Sequence, residues 1–116
     1  MKNSTEFGDF AKLHSDAAFT MTRKSGDLNI ALEFENSEQS NGRYESKFKD
    51  YYIRSEIHLV FYICARAHSL KNLGEIDLAI RGSGNHKIFF SPLENILRPT
   101  EKLIFENLSK AKVVLN

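Results

Sequence analysis

Four side chains draw attention by type and spacing: Asp16, Glu33, Glu35 and Lys47. The two glutamates sit in "NIALEFENS", residues 29–37, where Ile30, Leu32 and Phe34 alternate with Ala31, Glu33 and Glu35. A period of two is the pattern of a β-strand, and it puts both carboxylates on one face, roughly 6–7 Å apart. Acids are poor strand formers, and like charges on one face repel. A positive group among them removes the conflict. Three acids with Asp16 suit a hard divalent cation, Mg2+ or Mn2+, which takes a few carboxylates and water. Lys47, from the helix that follows, would add a fourth, positively charged member to the group. The competing reading is an edge strand with one solvated face, on which acids discourage aggregation.

A hairpin and a helix must bring these groups together. "DAAFTMTR", residues 16–23, has β character, "KSGD", residues 24–27, is a turn signal, and "LNIALEFE", residues 28–35, is the second strand. Asp16 lies about nine residues before the turn centre and Glu33 about eight after it, which makes them near-lateral neighbours about 5 Å apart. Asp16, Glu33 and Glu35 are therefore expected to converge on one spot. From Arg43 a helix begins, with Tyr44, Phe48, Tyr51 and Tyr52 on one apolar stripe. Arg43, Lys47 and Arg54 fall on one flank of it, within about 40° of one another. Lys47 borders the stripe, so its stem can lie along the sheet while its ammonium reaches the acids. Arg43 and Arg54 are candidates for phosphate contacts.

"HLVFYICA", residues 58–65, reads as a central strand buried on both faces. A helix ending near Gly82 and a short strand, "HKIFFS", residues 86–91, follow. Residues 92–116 read as largely helical with a break at Pro99, and Phe7, Phe10 and Leu13 suggest a short leading helix. The order (α)ββαβαβ(α) predicts a mixed central sheet flanked by helices, an α/β architecture in one domain over residues 1–116.

Composition agrees with a folded domain. The chain has 116 residues, 41% apolar and 27% charged, so a globular domain is expected rather than disorder. The net charge of +1 hides an asymmetry: residues 1–40 carry four Lys/Arg against seven Asp/Glu, and the rest carry twelve against eight. An acidic pocket in a basic surface fits that bias. The lone Cys64, among apolar neighbours, excludes an internal disulfide and a cysteine zinc cluster, and is expected to be a buried thiol. The four histidines lack ligand spacing. No apolar run approaches the length of a membrane span, and a cytoplasmic domain is expected.

The stretches "SDAAF", "LEFE" and "YESKFKDYY" resemble the PD-(D/E)XK phosphodiesterase superfamily, the restriction-endonuclease-like fold, and within it replication-relaxation proteins and resolvase-like nucleases. The resemblance covers about residues 13–92 and implies an Mg2+- or Mn2+-dependent nuclease acting on DNA, with a homodimer as one possible assembly. Asp16 matches the first acid and Glu33 the second, with the backbone carbonyl of Phe34 as a further metal ligand. Glu35 occupies the usual lysine position, and Lys47 with Tyr51 matches a lysine displaced to the following helix. Ser15 stands where proline is usual. The alternative implied by Glu35 is a catalytically inactive module of the same fold that binds DNA or a protein partner.

Overall fold

Alternation and a tight turn set up the first two strands. β1 (Ala17–Arg23) and β2 (Gly26–Glu35) form an antiparallel hairpin joined through Lys24 and Ser25 in the computed structural model, which describes residues 15–36, 40–97 and 103–115. Gly26 leaves the turn at φ 121°, a conformation glycine adopts without a Cβ penalty. Ala17 pairs with Leu32, and the Asp16 N–H donates to the Leu32 carbonyl at 3.1 Å. The ladder thus carries Asp16 to the position opposite Glu33.

Helix α1 (Asn41–Ile53) starts where Ser40 Oγ accepts the Arg43 N–H, and its Tyr44, Phe48 and Tyr51 are buried. Then come β3 (Leu59–Cys64), α2 (Ala67–Arg81), β4 (Ile88–Pro92), α3 (Leu93–Leu97), β5 (Leu103–Glu106) and β6 (Lys112–Leu115). The strands make one six-stranded sheet in chain order. β3 is parallel to both β2 and β4, and the remaining pairs are antiparallel. The crossovers through α1 and α2 put both helices on one face, the outcome of two βαβ units wound in the same sense. Phe48 and Tyr51 of α1 and Leu73 and Ile76 of α2 share one core there with Ala31, Val60, Tyr62 and Phe90. The opposite face gathers Ile30, Phe61, Phe89 and Phe105. Phe61 and Phe105 stack at 4.3 Å although β4 lies between their strands, so the β5–β6 hairpin folds over that face.

The expectation of a largely helical tail is corrected. Only Leu93–Leu97 is helical among its described residues, and β5 and β6 form a hairpin around a turn in which Lys110 has φ 67°. A short apolar run such as "LIFE" suits either a strand or a buried helix, and pairing with β4 decided it. The proposed leading helix with Phe7, Phe10 and Leu13, and the break at Pro99, lie outside the described residues.

Two polar clusters fasten the helices. Lys87 Nζ donates to the Tyr51 and Arg54 carbonyls at 2.8 and 2.9 Å, closing the C-terminal end of α1 from the start of β4. Asp77 of α2, fully buried, accepts from the Tyr52 hydroxyl of α1 and from Arg81 Nε at 3.0 Å, and Arg81 reaches Ser109 Oγ at 2.8 Å. Helix α1, which carries Lys47, is therefore held at its end and along its side. Phe48 is one of its fully buried anchors, edge-on to Tyr62 at 5.3 Å. Phe48→Ala should cost about 3–5 kcal/mol in urea unfolding; a loss below about 1 kcal/mol, the range of surface changes, would contradict this seating of α1.

Candidate functional site

Parallel pairing decides where the chemistry goes. β2, β3 and β4 run the same way, so their carboxyl ends share one rim, and α1 begins beside it. Ligands of open α/β sheets bind outside such carboxyl ends. Glu33 and Glu35 stand at the end of β2 and are 4% and 7% exposed. This overturns the solvated-edge reading: β2 lies inside the sheet, and the Glu33 side chain is met by side chains of α1.

Lys47 Nζ lies 3.0 Å from each oxygen of the Glu33 carboxylate. The Tyr51 hydroxyl donates to one of those oxygens, and Ser15 hydrogen-bonds the same phenol. Helix phase accounts for both contacts, since Lys47 and Tyr51 are one turn apart. The Asp16 side chain turns across the strand end and accepts the Phe34 N–H at 2.6 Å. Asp16, Glu33, Glu35, Arg43 and Lys47 line a cleft of about 100 Å³, room for several ordered waters. Phe34 contributes to its lining, and two phenols, Tyr44 and Tyr62, complete it.

Two expectations change. Among the described residues no three acidic, histidine or cysteine groups sit closely enough to enclose a metal ion. Asp16, Glu33 and Glu35 line one cleft but do not converge on one point, because Asp16 is drawn to the Phe34 amide and Lys47 faces both Glu33 oxygens. Arg54 is also displaced. The helix ends at Ile53, and Arg54 has extended dihedrals and pairs with Glu56 at 3.6 Å. It sits eleven positions from Arg43, roughly 16 Å along a helix axis, and does not share the cleft.

Burial dominates the electrostatics. Desolvation pushes the Glu33 carboxyl above its usual range, against the pull of Tyr51 and Lys47, and the nearby Asp16 charge adds to the rise. The Tyr51 phenol is pushed up by burial and then by Glu33. The Cys64 thiol, register partner of Glu35, is pushed up to about 12 by burial and by Glu35, which makes it the inert core thiol expected of it. A buried carboxylate in this state is stabilised by taking up a proton or a cation.

The donor set fits a small hard cation. Mg2+ is commonly held by one or two carboxylates and keeps several of its waters. Asp16 and Glu33, opposed across the β1–β2 ladder and both lining the cleft, are the two carboxylates that would be available to one, with the Phe34 carbonyl next in sequence. A buried polar atom points the same way: Tyr62 lines the cleft, and its buried hydroxyl has no hydrogen-bond partner among the described residues. Sequence reasoning missed Tyr62 as a site residue. It faces Glu33 through the parallel β2–β3 register, which no local pattern specifies.

No family model matches the chain, and neither the curated proteins nor the solved structures contain a match.

A folded-state pKa above the unfolded value of about 4.3 makes the stability contributed by Glu33 complete below that pH and lost as pH rises through the raised value. Metal-free wild type should therefore lose stability on going from about pH 4 towards neutrality, as read by urea unfolding in chelator. Glu33→Gln should flatten that decline, and an unchanged slope would show that burial of Glu33 does not set it.

Proposed function

We propose that this domain is a divalent-metal-dependent nuclease that hydrolyses phosphodiester bonds of DNA in the cytoplasm, in the service of plasmid or mobile-element replication. The observation that carries the reading is the buried Glu33 carboxylate, opposite Asp16 and bracketed by Lys47 and Tyr51, at the carboxyl end of parallel strands. The resemblance of "SDAAF", "LEFE" and "YESKFKDYY" to PD-(D/E)XK nucleases supports it. So does the element order ββαβαβ, which is compatible with a restriction-endonuclease-like core.

Asp16, Glu33 and the Phe34 carbonyl would hold Mg2+ or Mn2+. When bound, such a cation supplies Lewis-acid polarisation of the phosphate and lowers the pKa of water. Tyr51 keeps the Glu33 carboxylate in place. Lys47, already at the rim beside Glu33, neutralises charge developing on the phosphoryl oxygens. Glu35 orients the attacking water from the same strand. Arg43, exposed at the start of α1, engages a backbone phosphate at the mouth of the cleft, and a second copy of the chain would extend the contacted length of DNA.

One observation favours a second reading. Lys47 reaches both Glu33 oxygens, so the ion pair balances the buried charge without a metal. With Glu35 at the usual lysine position, the domain would then be an inactive module that binds DNA or a protein partner.

Thermal melts and cleavage assays separate the two. Mn2+ at about 100-fold above its Kd should stabilise the fold by roughly 2.7 kcal/mol, and Asp16→Ala or Glu33→Ala should remove the gain. Lys47→Ala should keep the gain and abolish cleavage of plasmid DNA. DNA binding with no cleavage and no metal-dependent stabilisation would establish the second reading. In salt titrations of DNA binding, Arg43→Ala should reduce the slope of log K against log salt by about one, whereas Arg54→Ala should change it less.

A further inference from the structure

Tyr62 occupies an unusual position for a phenol. It projects from the central strand β3, is 2% exposed, and stands beside Glu33 in the β2–β3 register. Its ring is well used: Phe48 packs edge-on at 5.3 Å and Phe90 lies 5.7 Å away. Its hydroxyl is not used, for it has no hydrogen-bond partner among the described residues. A phenylalanine would fill the same core volume, and a buried hydroxyl without a partner costs about 1–3 kcal/mol. The neighbouring phenol of Tyr51 shows the contrast, since its hydroxyl is satisfied by Glu33. Tyr62 lines the cleft that Glu33 and Glu35 border.

A group that enters that cleft and offers the phenol a hydrogen bond would resolve the mismatch. Asp16, Glu33 and Glu35 already put three carboxylates on the cleft, so a further carboxylate or a bare anion beside Glu33 and Glu35 is disfavoured by like-charge repulsion. Water brought in around a hard cation meets both requirements, because its oxygens bind the cation and its protons face outward. We propose that Tyr62 is a positioning residue for a hydrated divalent cation, its hydroxyl hydrogen-bonding a water of the cation's shell on the β3 side of the cleft. The inference rests on the reading of the cleft as a cation site and adds a selectivity to it. Mg2+ and Mn2+, bound with waters retained, gain from Tyr62; Ca2+, which takes six to eight oxygen ligands at longer distance and in looser geometry, gains less. A phenol is protonated at neutral pH and so able to donate.

The test is Tyr62→Phe, which deletes one oxygen and preserves the ring packing. Mn2+ affinity is read on the whole chain from the electron paramagnetic resonance signal of free Mn2+, Ca2+ affinity by competition, and metal-free stability by thermal melting in chelator. The expected result is about a tenfold loss of Mn2+ affinity, typical of removing an outer hydrogen-bond partner of a bound metal. Ca2+ affinity should fall less, and the metal-free melting temperature should be equal to or above that of wild type. Equal Mn2+ affinity in the two proteins, or equal losses for Mn2+ and Ca2+, would overturn the role of Tyr62 while leaving the cation site standing. A lower metal-free melting temperature in Tyr62→Phe would also overturn it, by showing that the hydroxyl is already satisfied in the fold. If wild type binds neither cation, the cation site and this inference fall together. Tyr62→Leu, which removes ring and hydroxyl together, serves as a comparison: its metal-free stability must fall, or the packing against Phe48 and Phe90 is not as described.

Discussion

A carboxylate that the fold removes from water governs this molecule. Glu33 lies at the end of a strand inside the sheet, under the first helix, and both its oxygens are engaged from that helix. Burying a charge without partners is far costlier than any single contact in a domain this size. Helix α1 must therefore present Lys47 and Tyr51 at the right phase, and its axis must be held within narrow limits. Phe48 between those two residues seats the helix in the core, Lys87 closes its end, and Tyr52 ties its flank to Asp77. Much of the polar structure on that face serves to keep one helix in register with one strand.

The same constraint accounts for the division of the sheet into two unlike faces. On the helix side the core mixes aromatic rings with phenols whose oxygens lie at or near the cleft, such as Tyr44, Tyr51 and Tyr62. On the opposite side Ile30, Phe61, Phe89 and Phe105 are apolar throughout. Strand alternation allows this separation, since each residue of β2 commits to one face. Ile30 and Leu32 build one core while Glu33 and Glu35, at odd positions among them, supply the charge on the other. The alternation that first singled out the two glutamates is thus also what insulates them from the second core.

The lysine at the cleft comes from a helix rather than from the strand that bears the acids. Such a lysine approaches from above the sheet, and its stem spans part of the gap that a shorter side chain could not cross. It remains partly exposed while the carboxylate it meets is buried. Asp16 is placed differently. It is exposed, fixed by the Phe34 amide, and belongs to the outermost strand pair.

Period-two alternation and the "KSGD" turn determined the β1–β2 hairpin and the opposition of Asp16 and Glu33, because pairing across a short turn is fixed by counting residues. Period 3.6 determined the buried stripe of α1 and the approach of Lys47 to Glu33, because a helix fixes the angle between its own side chains. Those relations are local, and they carried most of the candidate site. The parallel registers of β2 with β3 and of β3 with β4 depend on crossovers many residues long, and only the tertiary structure set Tyr62 beside Glu33. It likewise turned "LIFE" and "KVVL" into strands, since sheet pairing outweighed their weak helical appearance. It ended α1 at Ile53, so that Arg54 left the flank on which extrapolated helix phase had placed it. Burial of Glu33 and Glu35 beneath a helix belongs to the same class: a strand pattern shows that two acids share a face, but which face meets solvent is decided by what packs against the sheet.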